Sequence, residues 1–134
     1  MKKKIHEGKE ILYIPDREVF RGMTWVIEKS EKRIYKCDIY GTVFSVDMEG
    51  RKETLNPIEE AEGRKNPRVT IKRKKKRVDL LIASAIFRPW KVSKSRVHHF
   101  DGDTRNNAVA NLYLDITPKP PSREVGDNRK GRNN

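Results

Sequence analysis

The chain has 134 residues, one domain's worth of length, with a formal net charge of +12 and a pI near 10.0. Only 34% of it is hydrophobic and 37% is charged, so a small core is expected, with part of the chain outside it. A single cysteine, Cys37, excludes an intrachain disulfide and a cysteine-based zinc cluster, and the longest apolar run, Leu80 to Phe87, falls well short of the ~20 residues of a membrane span. The charge points to a polyanionic partner, nucleic acid first, and the lone cysteine to a reducing, cytoplasmic setting with Cys37 half-buried.

Residues 1–23 read as a polar N-terminal arm. The opening MKKKIHEGKE is basic but has no apolar stretch behind it, so it does not read as a secretory signal. One apolar cluster, Ile11 to Pro15, gives the arm a means of docking on the domain or on a partner.

Residues 24–76 read as a small β-rich module. Trp25 opens a run of β-branched and aromatic residues, and Tyr35, Cys37 and Ile39 alternate with Lys36, Asp38 and Tyr40. Val43, Phe44 and Val46 follow Gly41, which predicts two strands joined by a tight turn at Tyr40–Gly41. Met48 to Arg51 is a second turn. Asn56-Pro57 opens the acidic segment IEEAEG, read as a helical turn or a loop. From Arg64 to Arg77 nine of fourteen residues are Lys or Arg and none is acidic. A run of this kind is either a solvated face or a phosphate-contacting strand or turn, and Arg68, Lys72, Arg73, Lys74, Lys75, Lys76 and Arg77 are the candidates for contact.

Residues 77–116 carry the clearest pattern. Val78, Leu81, Ile82, Ala85 and Ile86 form one apolar stripe at helical spacing, and Pro89 ends the helix. A basic connector with Lys94 and Arg96 leads to VHHFDGDTRNNAVANLYL (Val97 to Leu114). This reads as a strand end with His98 and His99 on opposite faces, a long polar loop, and a returning strand. Residues 117–134, rich in Pro, Gly, Asn and charge, read as a tail without its own core.

The His98 to Leu112 stretch resembles the core of the HNH endonucleases, in particular those of phages and self-splicing introns. His98, His99, Phe100, Asp101-Gly102-Asp103, Asn106-Asn107 and Asn111-Leu112 fill the family's successive slots. Tyr35 to Ser45 is similar to the small module that often precedes this core, and Val78 to Pro89 to the helix that leads into it, although a His is common where Asp79 stands. The resemblance covers roughly residues 24–115. It implies an α+β chain: a β-rich module, a helix, and a ββα-metal hairpin whose final helix is truncated or absent. It further implies hydrolysis of phosphodiester bonds in double-stranded DNA with a divalent ion, Mg²⁺ or Mn²⁺, in a bacterial cell from a phage gene. His99 would be the general base, His98 a metal ligand and Asn111 the residue orienting the site. Asp101, Asn106 and Asn107 would hold the loop, and the basic run with Lys94 and Arg96 would meet phosphates.

The sequence departs from the family after the second strand. Pro118, Pro120 and Pro121 preclude the helix that supplies the second metal ligand, leaving Asp115, or Asp127 or Asn128 in the tail, as substitutes. Three functions therefore stand: a nuclease, a nucleic-acid-binding protein on the same frame without catalysis, and a structural subunit of a larger particle that orders the tails.

Overall fold

The computed structural model of the protein describes residues 1–58 and 66–118. The acidic segment 59–65 and the tail from 119, with Asp127 and Asn128, lie outside the described residues. In chain order the elements are strands β1 (Lys2–His6), β2 (Lys9–Tyr13), β3 (Thr24–Lys29), β4 (Arg33–Asp38), β5 (Val43–Asp47), β6 (Lys52–Thr54), β7 (Arg68–Ile71) and β8 (Lys74–Arg77). Helix α1 (Val78–Ile86) and strands β9 (Val97–His99) and β10 (Leu112–Asp115) complete the fold. The class is α+β, mostly strand with one α-helix among the described residues, and no described helix is long and apolar enough to cross a membrane.

β3 to β6 form an antiparallel meander, with the β4–β5 connection at residues 39–42 as the sequence predicts. Gly41 sits in that turn at φ +87°, a conformation that costs other residues about 1–2 kcal/mol. β7 and β8 form a separate hairpin whose turn residues, Lys72 and Arg73, both have positive φ. That is the backbone of a type I′ turn, usually filled by Asn-Gly, so two long cations here hold a strained bend.

The second sheet has the order β1-β2-β10-β9 and is antiparallel throughout. Residues 1–23 are thus not a separate arm. Tyr13 pairs with Tyr113, and Leu12 with Leu114, in the sheet that carries the two histidines. Leu12 is 2% exposed within the main core, and burying one such side chain contributes about 1.5–3 kcal/mol. The sequence suggests an arm because β1, with its run of lysines, is a charged edge strand with no apolar alternation of its own.

α1 packs between the sheets, against β3 on one side and β9 and β10 on the other. Its stripe residues Val78, Leu81, Ile82, Ala85 and Ile86 are all buried, but so are Asp79 and Ala83, because the helix is covered on more than one face. Ile27, Cys37 and Val43 from the meander join Leu12, Val97, Leu112 and Leu114 in a single core around it. Cys37 is fully buried, not half-buried, since its side chain lies within this core. Burial, with the adjacent Asp38 carboxylate, pushes its thiol pKa up to about 12, so it stays protonated at neutral pH.

Candidate nucleic-acid interface

The loop between β9 and β10 is built by its own side chains. Asp101 accepts from the Asp103 N–H at 2.8 Å, from Asn106 Nδ2 at 2.8 Å and from Asn111 Nδ2 at 3.0 Å. The side-chain bonds from Asn106 and Asn111 are the main reason its carboxyl pKa falls to about 2. Asn111 also donates to the Asn106 carbonyl at 2.8 Å and accepts from the Asp101 N–H, so it ties the end of β9 to the start of β10.

His98 and His99 lie on opposite faces of β9, as the pleat requires. His99 turns toward the helix. Its Nε2 is 2.8 Å from Asn107 Oδ1, an acceptor, so Nε2 carries the proton and donates it to Asn107. The same nitrogen is 4.0 Å from Asp79 Oδ2, and the His99 side chain is only 5% exposed. Asp79 is in turn gripped by Arg77 through Nε at 3.0 Å and Nη2 at 2.7 Å, by Asn66 Nδ2 at 3.2 Å and by the Leu80 N–H at 2.8 Å. The negative charge sits in the first turn of α1, where the helix dipole favours it.

Asn107 is fixed from the other module. A Cβ on Gly41 would lie 2.4 Å from the Asn107 carbonyl oxygen, and the Val109 N–H donates to the Ile39 carbonyl at 3.0 Å. The β4–β5 turn thus presses on the loop at the residue that holds His99. Glycine is required at position 41 twice over, by its φ and by this approach.

His98 faces the other way and stacks on Tyr113, with centroids 5.2 Å apart. Its Nε2 is buried with no hydrogen-bond partner among the described residues. Burial, and then the Lys9 ammonium, hold its pKa below the ordinary histidine value, so the ring is neutral at pH 7 and offers a lone pair. One imidazole does not make a site for a hard divalent ion, which seeks several oxygens. Asp115 is committed elsewhere: its carboxylate accepts from the Thr117 N–H at 2.9 Å and lies 3.9 Å from both Lys9 Nζ and Arg96 Nη1. No group of three or more His, Cys, Asp or Glu side chains able to share an ion occurs among the described residues, so these residues do not fit Mg²⁺ or Mn²⁺ by themselves.

The basic residues sort into four settings, two of which share Lys76. Arg68, Lys75, Lys76, Arg77 and Lys94 line one cleft of about 390 Å³ with a floor of Leu80 and Leu81. Arg68 Nε there is buried without a partner among the described residues. Lys72 and Lys76 bond Glu28 at 3.0 and 3.4 Å, and the Lys72 bond is the first cause of that carboxyl's lowered pKa. Arg73 and Lys74 are exposed at the hairpin turn. Arg96 lies apart from the cleft: its Nη1 donates to the Asp115 and Thr117 carbonyls, both at 2.9 Å, and so latches the strand ends.

A second concavity of about 300 Å³ adjoins the first, lined by Asn66, Arg77, His98, His99, Thr104 and Tyr113 among others. Arg77 belongs to both. The sequence places Arg77 among phosphate contacts and Asp79 as a departure from a family pattern, and does not reveal that the two form one buried pair beside His99. A lone acid within the apolar stretch VDLLIASAIF is the available signal, but Asn66 and His99 join it only through the tertiary fold. The chain matches no protein-family model, no curated protein and no solved structure.

Proposed function

We propose that the protein binds double-stranded DNA on an HNH-type frame, laying the phosphate backbone along the basic cleft so that it reaches the histidine pocket. The observation that carries this reading is the adjacency of the two concavities through Arg77, with Arg68, Lys75, Lys76 and Lys94 on one side and His98 on the other. Lysine and arginine neutralise phosphates and release counterions, which supplies affinity without base specificity. The apolar floor lowers the local dielectric and strengthens each contact.

A second reading, a divalent-ion-dependent DNA endonuclease, is favoured by one observation: the buried, unpartnered and neutral Nε2 of His98 suits a ligand. It requires further donors from outside the described residues, where Asp127 and Asn128 lie. Hydrolysis with His99 as general base would use Nδ1, the nitrogen left unprotonated while Nε2 donates to Asn107.

Binding to a blunt duplex measured against salt concentration tests the first reading. The plot of log K against log salt should be steep. Its slope should fall by about 2 in the Lys75→Ala/Lys94→Ala double variant, about one for each phosphate that the variant no longer neutralises. A salt-insensitive interaction, or an unchanged slope, would overturn it. Incubation of supercoiled plasmid with Mg²⁺ or Mn²⁺ separates the readings. Nicking that disappears in His98→Gln establishes the nuclease, and intact plasmid under saturating binding establishes the binder.

A further inference from the structure

The outer face of the β1-β2-β10-β9 sheet carries a cluster of which the duplex reading uses only the His98 and Tyr113 edge. Register places Lys2, Lys4, His6, Lys9, Tyr13, Tyr113 and His98 on this face, away from α1. Phe100 joins them from the end of β9. Its ring centroid lies 4.7 Å from Tyr113, 5.2 Å from His6 and 6.2 Å from Tyr13, and His6 is 5.1 Å from Tyr113. The Lys4 ammonium rests on ring faces, 4.5 Å from the Tyr13 centroid and 5.3 Å from Phe100. Lys2, Lys4 and Lys9 are exposed, and Tyr13 and Phe100 are half-buried. Three carboxylates reach the face: Asp115 is paired with Lys9 and Arg96, Glu18 lies 3.6 Å from Lys2 Nζ, and Glu7 lies 4.0 Å from His6 beside Tyr113.

We infer that this sheet face binds the unpaired bases of a single strand, so that the preferred ligand is a duplex with a single-stranded extension. The inference rests on the nucleic-acid reading above. Aromatic rings on an open antiparallel sheet stack bases because every base has a π-face, and flanking lysines take the phosphates between them. The Lys4 ammonium covers the Tyr13 and Phe100 rings, and an incoming base replaces it while the ammonium turns to a phosphate. Charge complements the partner through Lys4, which sits on the rings with no carboxylate partner among the described residues, while Lys2 and Lys9 exchange the Glu18 and Asp115 carboxylates for phosphates. The path is continuous: Tyr113 and His98 belong both to this cluster and to the pocket that adjoins the basic cleft. A duplex held in the cleft therefore delivers its unpaired end across β9 and β10 onto Phe100 and Tyr13.

Three fluorescently labelled DNA probes test this: a blunt duplex, the same duplex with a six-nucleotide overhang, and the overhang strand alone. The overhang should tighten binding about tenfold over the blunt duplex, the scale of one or two stacked bases. Tyr13→Leu, which keeps apolar bulk and loses the ring, and Lys4→Gln, which changes an exposed side chain, should each reduce that gain severalfold and leave blunt-duplex binding unchanged. A gain below twofold, or one that both variants retain, overturns the inference while blunt-duplex binding still stands. Failure of the blunt duplex itself to bind is the separate failure of the underlying reading. Circular dichroism of both variants confirms that the sheet is folded.

Discussion

The two faces of the β1-β2-β10-β9 sheet treat adjacent histidines in opposite ways. On the inner face His99 bonds Asn107 and lies 4.0 Å from the Asp79 carboxylate, which α1 and Arg77 hold in place. On the outer face His98 meets a ring and a lysine, and its Nε2 finds no partner among the described residues. One residue's step along a strand, through the pleat, separates a side chain that builds the site from one whose Nε2 is left unpaired among the described residues. Two histidines side by side in a sequence are therefore not a catalytic pair by spacing alone.

The inner network should break most severely at Asp79. Asp79→Ala leaves the half-buried Arg77 guanidinium without its carboxylate and frees Asn66 and the Leu80 N–H, and urea unfolding should show a loss of about 1.5–3 kcal/mol. Asp79→Asn keeps hydrogen bonds and should cost less. Next in size is Gly41→Ala, which forces the β4–β5 turn off the Asn107 carbonyl in addition to about 1–3 kcal/mol of backbone strain. Its specific signature is loss of the hydrogen-bonded His99 Nε2 proton in NMR spectra, which a general loss of stability does not produce below the unfolding transition.

The outer face is sharpened by pH. The folded protein holds His98 neutral, with a pKa below that of the unfolded chain. As pH falls below about 6.5 the unfolded chain takes up a proton that the folded one resists, so stability declines until the folded pKa is passed. Tyr113→Ala opens the site to water, so the His98 pKa should rise toward its ordinary value in an NMR titration. Asp101 behaves in the opposite sense. Its lowered pKa stabilises the loop above about pH 4, and that contribution is lost as pH falls through about 2, so Asp101→Asn should flatten the acid limb of the unfolding profile. The smallest change concerns the strained hairpin. Lys72→Asn with Arg73→Gly should raise stability by about 1–2 kcal/mol by fitting the turn, even though it gives up the Lys72–Glu28 ion pair.

Much of this is legible in the residues. The helix pattern from Val78 to Ile86, the Tyr40–Gly41 turn and the self-bonded Asp101–Asn111 loop each follow from local chemistry, since their partners lie within a few positions. What stays hidden depends on distant pairing. β1 and β2 become strands of the histidine sheet because β10, a hundred residues later, offers Tyr113 and Leu114 as partners. Arg96 looks like one more phosphate contact until the fold closes its guanidinium on the Asp115 and Thr117 carbonyls. Lys94, three positions from the start of β9, joins the β8 lysines only because the connector folds back along α1.

The most direct test of the central claim is an NMR titration of the protein, labelled with ¹⁵N at histidine, with a blunt DNA duplex. The account predicts that the His98 ring resonances shift progressively with added duplex while the His99 Nε2 proton keeps its hydrogen-bonded position. A duplex-dependent loss of the His99 proton signal with His98 unmoved would contradict it, because the nucleic acid would then be opening the inner network and not meeting the outer histidine.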